Sequence, residues 1–386
     1  MTTDSAPVVS GSLLDTDVEQ SLRSSVRAVL ERRCTPEAVT RLYDGDRLLV
    51  EPLWAALGQE LGLAGLLVAE DHGGAGASPR EAAVVMEELG RRCAPVPFLT
   101  SAVIATTVLE RAGATELLAP LASGKRVACL VVPLSAGPEC PTPTVSLGAD
   151  GRLDGHVRSV AGALEAQLLV VPVNAGGDIA LVVVDRADSG IRVEPVTSLD
   201  MTRQVADVHL DGVTARVVAE GAAATGAVED ALTLGAALLA SEQVGVARWC
   251  VETTIAYLGE RRQFGRVVGG YQALKHRLAD LWVRVESADA AARYAAVTAA
   301  SGDGSMTDAA LAASVAQAYC ADVAVRAAEE CIQLHGGIGM TWEYPAHLYL
   351  KRAKADQIAL GSPGRHRDRV ASLADLPAPT VVEVGR

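Results

Sequence analysis

The chain has 386 residues, enough for two or three structural units with substantial cores. It carries 47 acidic and 34 basic side chains, a formal net charge of −13, which argues against nucleic acid or an anionic membrane surface as its main partner. Seven cysteines lie scattered without a CxxC pair or the spacing of a zinc site, and no secretory signal precedes them. This usage predicts a reduced, cytoplasmic protein without a metal centre.

The first predicted unit, residues 14–125, has the apolar spacing of helices. Residues 15–33 and 50–61 are the clearest cases. Ser78 is predicted to cap a helix over residues 80–91, with Pro79 at its first position, because a hydroxyl and a proline both suit a helix start. This unit is therefore expected to be a helical domain.

The second predicted unit, residues 126–222, contains short β-rich runs separated by Gly, Pro, Asp and Asn. These runs predict a small antiparallel β domain between helical regions. They cover residues 127–132, 167–172, 179–184, 191–195 and 206–210.

The third predicted unit, residues 223–375, returns to long helices over residues 228–260, 271–302 and 308–335, with a shorter one after Pro345. Its most apolar run, residues 231–250, contains Glu242 and Arg248, which favours a buried bundle helix over a membrane span. The fold class predicted is mostly α, with a central antiparallel β domain and a C-terminal four-helix bundle.

Two motifs in the third unit stand out by their residue types and spacing. Arg261-Arg-Gln-Phe-Gly265 offers a guanidinium that could make paired hydrogen bonds to phosphate oxygens, and Phe264 offers an apolar face. Gln333-Leu-His-Gly-Gly337 combines an amide with glycines that let a ligand approach the backbone closely. His335 is interpreted as a packing residue.

These motifs, with Glu87-Glu-Leu-Gly90 and the glycine-rich stretch over residues 61–76, resemble the acyl-CoA dehydrogenase family along essentially the whole chain. The resemblance implies FAD as cofactor and α,β-dehydrogenation of an acyl thioester carried by CoA or a carrier protein. It implies an electron-transfer flavoprotein or another acceptor for the electrons, and a role in lipid metabolism. The FAD-binding residues that it implies are Arg261, Phe264, Gln272, Gln333, Gly336, Gly337 and Ser362.

The sequence departs from the family pattern where the chemistry takes place. The family usually has a catalytic glutamate just before a Gly-Ser or Gly-Thr pair, and here Leu360 stands before Gly361-Ser362. A second base position used by some members falls at Gly235. Asp356, one helical turn before Leu360, is the remaining candidate for a displaced base. The flavin-binding segments of the β domain also match poorly, near residues 130–142 and 158–163.

The retained motifs are those that, in the family, reach across a subunit interface into the neighbour's flavin site. The resemblance therefore implies a subunit without a base in a heterotetramer with a homologous catalytic chain, similar to actinobacterial enzymes that oxidise bulky sterol-like or polyketide-like CoA thioesters. Three alternatives stay open. They are a self-sufficient flavoenzyme that uses Asp356, a flavin monooxygenase or oxidase on the same fold, and a non-catalytic scaffold that binds no flavin.

Overall fold

The N-terminal part of the chain is helical, as predicted. The computed structural model describes residues 12–301 and 306–376. Thr16 caps the first helix and Ser78 the fourth, each in a capping box with a glutamate three residues later. The helices of this part are α1 (Asp17–Arg33), α2 (Pro36–Thr40), α3 (Val50–Trp54), α4 (Pro79–Gly90), α5 (Thr106–Arg111) and α6 (Leu118–Ala122).

The central part is an eight-stranded sheet. Its strands are β1 (Ala128–Leu130), β2 (Val145–Leu147), β3 (Arg152–Ala161), β4 (Leu168–Ala175), β5 (Asp178–Asp185), β6 (Ile191–Val196), β7 (Val205–Thr214) and β8 (Arg216–Glu220). They follow the order β6-β7-β3-β2-β4-β5-β8, with β1 beside β4. The sheet is mostly antiparallel, but β1 and β2 both run parallel to β4, which makes it mixed.

The C-terminal part is a helical bundle. Its helices are α7 (Gly221–Glu260), α8 (Gln272–Ala300), α9 (Met306–His335), α10 (Ala346–Ile358) and α11 (Pro363–Leu373), with a small hairpin of β9 (Arg262–Gln263) and β10 (Arg266–Val267) after α7. By length and composition alone, helix α7 could cross a membrane. However, 56% of its most apolar 18-residue stretch is buried inside the protein. This burial is typical of the core helix of a bundle.

Two glycines hold α4 of the N-terminal part against α7 of the bundle. A Cβ atom added to Gly90 would lie 2.1 Å from the carbonyl oxygen of Glu242, and one added to Gly245 would lie 2.0 Å from the carbonyl oxygen of Glu87. The contact is reciprocal. Each glycine faces the backbone carbonyl of the residue that lies three positions before the other glycine. Only glycine permits this separation of the two backbones.

Candidate functional site

The turn after α10 carries Leu360, and two hydrogen bonds hold its backbone. Leu360 has a left-handed conformation with φ of 54°. Its N–H donates to the carbonyl of Leu134 at 2.8 Å, and Nε2 of the buried His366 donates to its carbonyl at 2.9 Å. The N–H of Leu134 in turn donates to the carbonyl of Ser159 at 2.9 Å. The turn is therefore joined directly to Leu134 and, through it, to Ser159, which lie in the two segments where the resemblance places flavin contacts.

The cavity beside Leu360 is small and apolar. It has a volume of about 30 Å³, whereas pockets for small-molecule ligands usually measure about 300–1,000 Å³. None of its lining side chains ionises. They belong to Leu99, Thr100, Ile104, Leu130, Val132, Pro133, Leu134, Ala161, Leu232 and Leu360.

The two positions at which the resemblance places the family's base, Gly235 and Leu360, lie against each other beside this cavity. A Cβ atom added to Gly235 would lie 3.1 Å from Cδ1 of Leu360 and 3.0 Å from Ile104. The positions are 125 residues apart in the sequence, yet they converge on one point. Neither of them supplies a carboxylate.

Asp356 does not line this cavity; it lies in a buried cluster of charged side chains. Its Oδ1 is 3.5 Å from Nε of Arg203. The terminal Nη2 of Arg203 donates to both carboxylate oxygens of Glu242 at 2.6 Å. Arg352 lies 3.4 Å from Glu242 and 3.5 Å from Asp200. Burial, and then the neighbouring Glu242, raise the pKa of Asp356 well above its usual value. The structure thus gives Asp356 a place in the core rather than a path to a substrate.

Six of the seven residues expected to bind FAD are exposed, and the seventh is Ser362. The hydroxyl of Ser362 caps α11 by accepting a hydrogen bond from the N–H of Arg365. The remaining candidates are exposed in two segments, the hairpin with the start of α8 and the turn after α9. They are Arg261, Phe264, Gln272, Gln333, Gly336 and Gly337.

An aromatic stack brings these two segments side by side. Tyr257, one turn before Arg261, packs on the ring of His335 with 4.4 Å between the ring centroids, and Gly336 directly follows His335. His335 is buried, with Nδ1 2.6 Å from the carbonyl of Cys331 and Nε2 2.7 Å from the hydroxyl of Tyr344. The histidine therefore has the packing role predicted for it. Its partners Tyr257 and Tyr344 were not recognised in the sequence.

The comparisons with known proteins define the class. Residues 16–125 match the N-terminal domain of acyl-CoA dehydrogenases, and residues 225–374 match their C-terminal domain. The chain belongs to the acyl-CoA dehydrogenase family, whose cofactor is FAD.

Among its relatives is the acyl-CoA dehydrogenase IpdE2 of Mycolicibacterium smegmatis, 32% identical over 89% of this chain and 94% of the relative. IpdE2 of Mycobacterium tuberculosis is 36% identical over 89% and 93%. FadE34 of Mycobacterium tuberculosis is 35% identical over 93% of this chain, but the match covers only 48% of that longer relative.

Two solved structures of named pairs share the fold. The ChsE4-ChsE5 complex from Mycobacterium tuberculosis has a TM-score of 0.84 and 27% identity, covering 95% of this chain and 100% of the matched chain. The Tcur3481-Tcur3483 steroid acyl-CoA dehydrogenase has a TM-score of 0.81 and 27% identity, covering 93% and 98%.

The residues present fit FAD unequally. The hairpin offers exposed guanidinium groups to a diphosphate, while the cavity of about 30 Å³ beside Leu360 has no room for a three-ring isoalloxazine. The chain on its own therefore fits the nucleotide end of the cofactor and not its reactive end.

Proposed function

We propose that this chain is the subunit of a heteromeric acyl-CoA dehydrogenase that completes the flavin site of a homologous partner, while the partner supplies the catalytic carboxylate. The observation that carries the proposal is the contact of Gly235 with Leu360, whose side chain lines a small apolar cavity. These are the two positions at which the resemblance to the family places a base, and neither holds an ionisable side chain.

The chemistry of the reaction explains why this matters. Dehydrogenation of an acyl thioester removes an α-proton, which needs an acceptor within hydrogen-bond reach. Leu360 has no lone pair to offer, and the side chain of Asp356 faces guanidinium groups in a closed cluster. A cavity of about 30 Å³ also leaves no space for the acyl group, which disfavours a self-sufficient dehydrogenase and a monooxygenase alike.

The surface that the chain retains suits a role in the partner's site. Arg261 and Phe264 are exposed on the hairpin, and Gly336 and Gly337 are exposed on the neighbouring turn. On our proposal, Arg261 holds the FAD diphosphate, and the glycine turn with Gln333 lies along the adenosine. These residues bind and orient the nucleotide end. The hydride acceptor that FAD supplies lies in the partner subunit.

The relatives support the same arrangement. The two solved structures have names that pair two components, and slightly more than half of FadE34 lies outside the segment that this chain matches. By analogy with the steroid enzyme, we infer a bulky polycyclic acyl thioester as substrate. The seven cysteines are free thiols, in keeping with a cytoplasmic enzyme that passes electrons to an electron-transfer flavoprotein or another acceptor.

The test is to purify the chain alone and after co-expression with a homologous chain that carries the glutamate. We expect the isolated chain to retain little FAD and to show no bleaching by acyl-CoA under anaerobic conditions. The complex should contain about one FAD for every two chains, because half of the sites lack a base and a cavity large enough for the flavin ring. A panel of thioesters should bleach the bound flavin. A fully flavinylated homo-oligomer with turnover would overturn the proposal.

A further inference from the structure

The register of the hairpin after α7 sorts its three arginines onto two faces. Arg266 pairs directly with Gln263, and Val267 pairs with Arg262. Residues directly opposite each other in an antiparallel pair project to the same face, and successive residues alternate. Arg261, in extended conformation two residues before Gln263, therefore shares a face with Arg266. Arg262 lies on the opposite face.

An aromatic ring holds Arg266 in position. Its guanidinium carbon lies 3.8 Å from the centroid of the Tyr271 ring, a stacking distance that limits the rotamers of the long side chain. Within the described residues, none of Arg261, Arg262 and Arg266 forms an ion pair with a carboxylate. Arg266 is thus a preorganised cation without a charged partner among the residues that the structure describes.

The local charge suits a strongly anionic group. Residues 261–279 contain Arg261, Arg262, Arg266, Lys275 and Arg277 and no acidic residue, in a chain whose net charge is −13. The diphosphate of a dinucleotide carries one negative charge on each phosphate group. Two guanidinium groups on one face can therefore bind both phosphates, and a single one would leave the second unpaired.

We propose that Arg266, stacked on Tyr271, is a second phosphate-binding residue that acts beside Arg261 on the diphosphate of the FAD in the partner's site. The proposal rests on the function inferred above and adds a residue to it. Tyr271 is a positioning residue, because it acts through the orientation of Arg266 and not through its own contact with the phosphate.

The experiment measures FAD retention in the co-expressed complex, not turnover. Arg261→Ala, Arg266→Ala and Arg262→Ala each remove one positive charge from the same hairpin, so Arg262→Ala is the matched control. We expect the FAD dissociation constant, followed by flavin fluorescence, to rise roughly 10-fold in the first two variants. In Arg262→Ala it should stay within about 2-fold, because a rim charge off the contacting face contributes little.

A second pair of variants separates stacking from fold. Tyr271→Phe keeps the aromatic face and should retain FAD like the wild type, while Tyr271→Leu should weaken retention in the same direction as Arg266→Ala. Native mass measurement checks that each complex still assembles. If Arg261→Ala weakens FAD binding and Arg266→Ala does not, the role of Arg266 is refuted and the partner-site function stands. If neither variant changes retention, both proposals fail. Equal losses in Arg262→Ala and Arg266→Ala would reduce the effect to net charge and refute the assignment to one face.

Discussion

Gly235 of α7 and Leu360 of the turn after α10 share one contact point: a Cβ atom on the glycine would lie 3.1 Å from Cδ1 of the leucine. This distance is tighter than an ordinary van der Waals contact. A methyl group at position 235 would therefore require Leu360 to shift by a few tenths of an ångström. The pair closes this point with apolar atoms alone.

This contact predicts a coupled effect on stability. Alanine is favoured over glycine inside a helix by about 1 kcal/mol, but in the wild type the new methyl group of Gly235→Ala would press on Leu360 and Ile104. We expect the gain to be cancelled there and to reappear in part when Leu360→Ala opens space, because the contact with Ile104 remains. Urea unfolding of the two single variants and the double variant measures the coupling, expected at about 0.5–1 kcal/mol. Additive effects would show that the contact is not strained.

A carboxylate placed at position 360 should not create activity. Leu360 is 3% exposed among apolar side chains, so Leu360→Glu buries an ionisable group at a cost of about 2–5 kcal/mol. Thioester oxidation by the complex should be nearly unchanged at temperatures where it stays folded, because on the function proposed above the reaction takes place in the partner. Leu360→Met, which conserves volume, is the control and should cost less than about 1.5 kcal/mol. A new flavin site that is bleached by substrate in Leu360→Glu would contradict this account.

The reciprocal glycine contact between α4 and α7 predicts large losses from a single methyl group. In Gly245→Ala the Cβ atom would lie 2.0 Å from a backbone carbonyl oxygen, which cannot rotate away, so the helices must separate. We expect a loss of at least about 3 kcal/mol in the free energy of unfolding. Gly226→Ala, on the same helix with nothing within 4 Å, is the control and should be neutral or stabilising by up to about 1 kcal/mol. Similar melting temperatures for the two variants would disprove the packing argument.

Asp356 predicts a pH dependence of stability with a definite sign. Because burial raises its pKa in the folded state, the folded protein binds this proton more tightly than the unfolded chain does. The contribution to stability is full below the unfolded pKa of about 3.9 and is lost as the pH rises toward the folded pKa. Asp356→Asn should remove this slope, so the variant should gain stability relative to wild type as the pH is raised.

Melting temperatures measured from acidic to neutral pH, together with the FAD content of the complex, test whether Asp356 has a structural role. A structural aspartate predicts preserved FAD binding and unchanged thioester oxidation in Asp356→Asn. A loss of about 10²–10⁴-fold in flavin reduction with FAD still bound is the signature of a general base and would make this chain an enzyme in its own right.

The sequence predicted the helices well where local signals exist. Thr16 and Ser78 have capping partners within three residues, so those helix starts are encoded locally. Strand β3 was missed because its outward side chains are Arg, Asp and His and a glycine interrupts it, although its burial largely alternates as a half-exposed strand requires. The short strands β2 and β8 were missed as well.

The candidate site likewise has one part that contiguous motifs reveal and another part that only the fold brings together. The hairpin and the glycine turn are contiguous motifs, so their resemblance to the family pattern could be recognised in the sequence. The cluster around Asp356 could not, because Arg203, Glu242 and Arg352 come from distant segments that only the fold brings together. The contact of Gly235 with Leu360 lacks a local signal for the same reason, although the family pattern pointed to both positions.

The backbone hydrogen bonds of Leu134 bear on how this chain could evolve. Its N–H and its carbonyl are both engaged, one with Ser159 and the other with Leu360, so the gap between the sheet and the bundle is bridged by main-chain atoms as well as by side chains. Replacing one codon can change the side chain at position 360 but leaves this bridge in place. On the function proposed above, an independent reaction centre would require several simultaneous changes. The gene would then depend on that of its partner, and we expect the two to be inherited together.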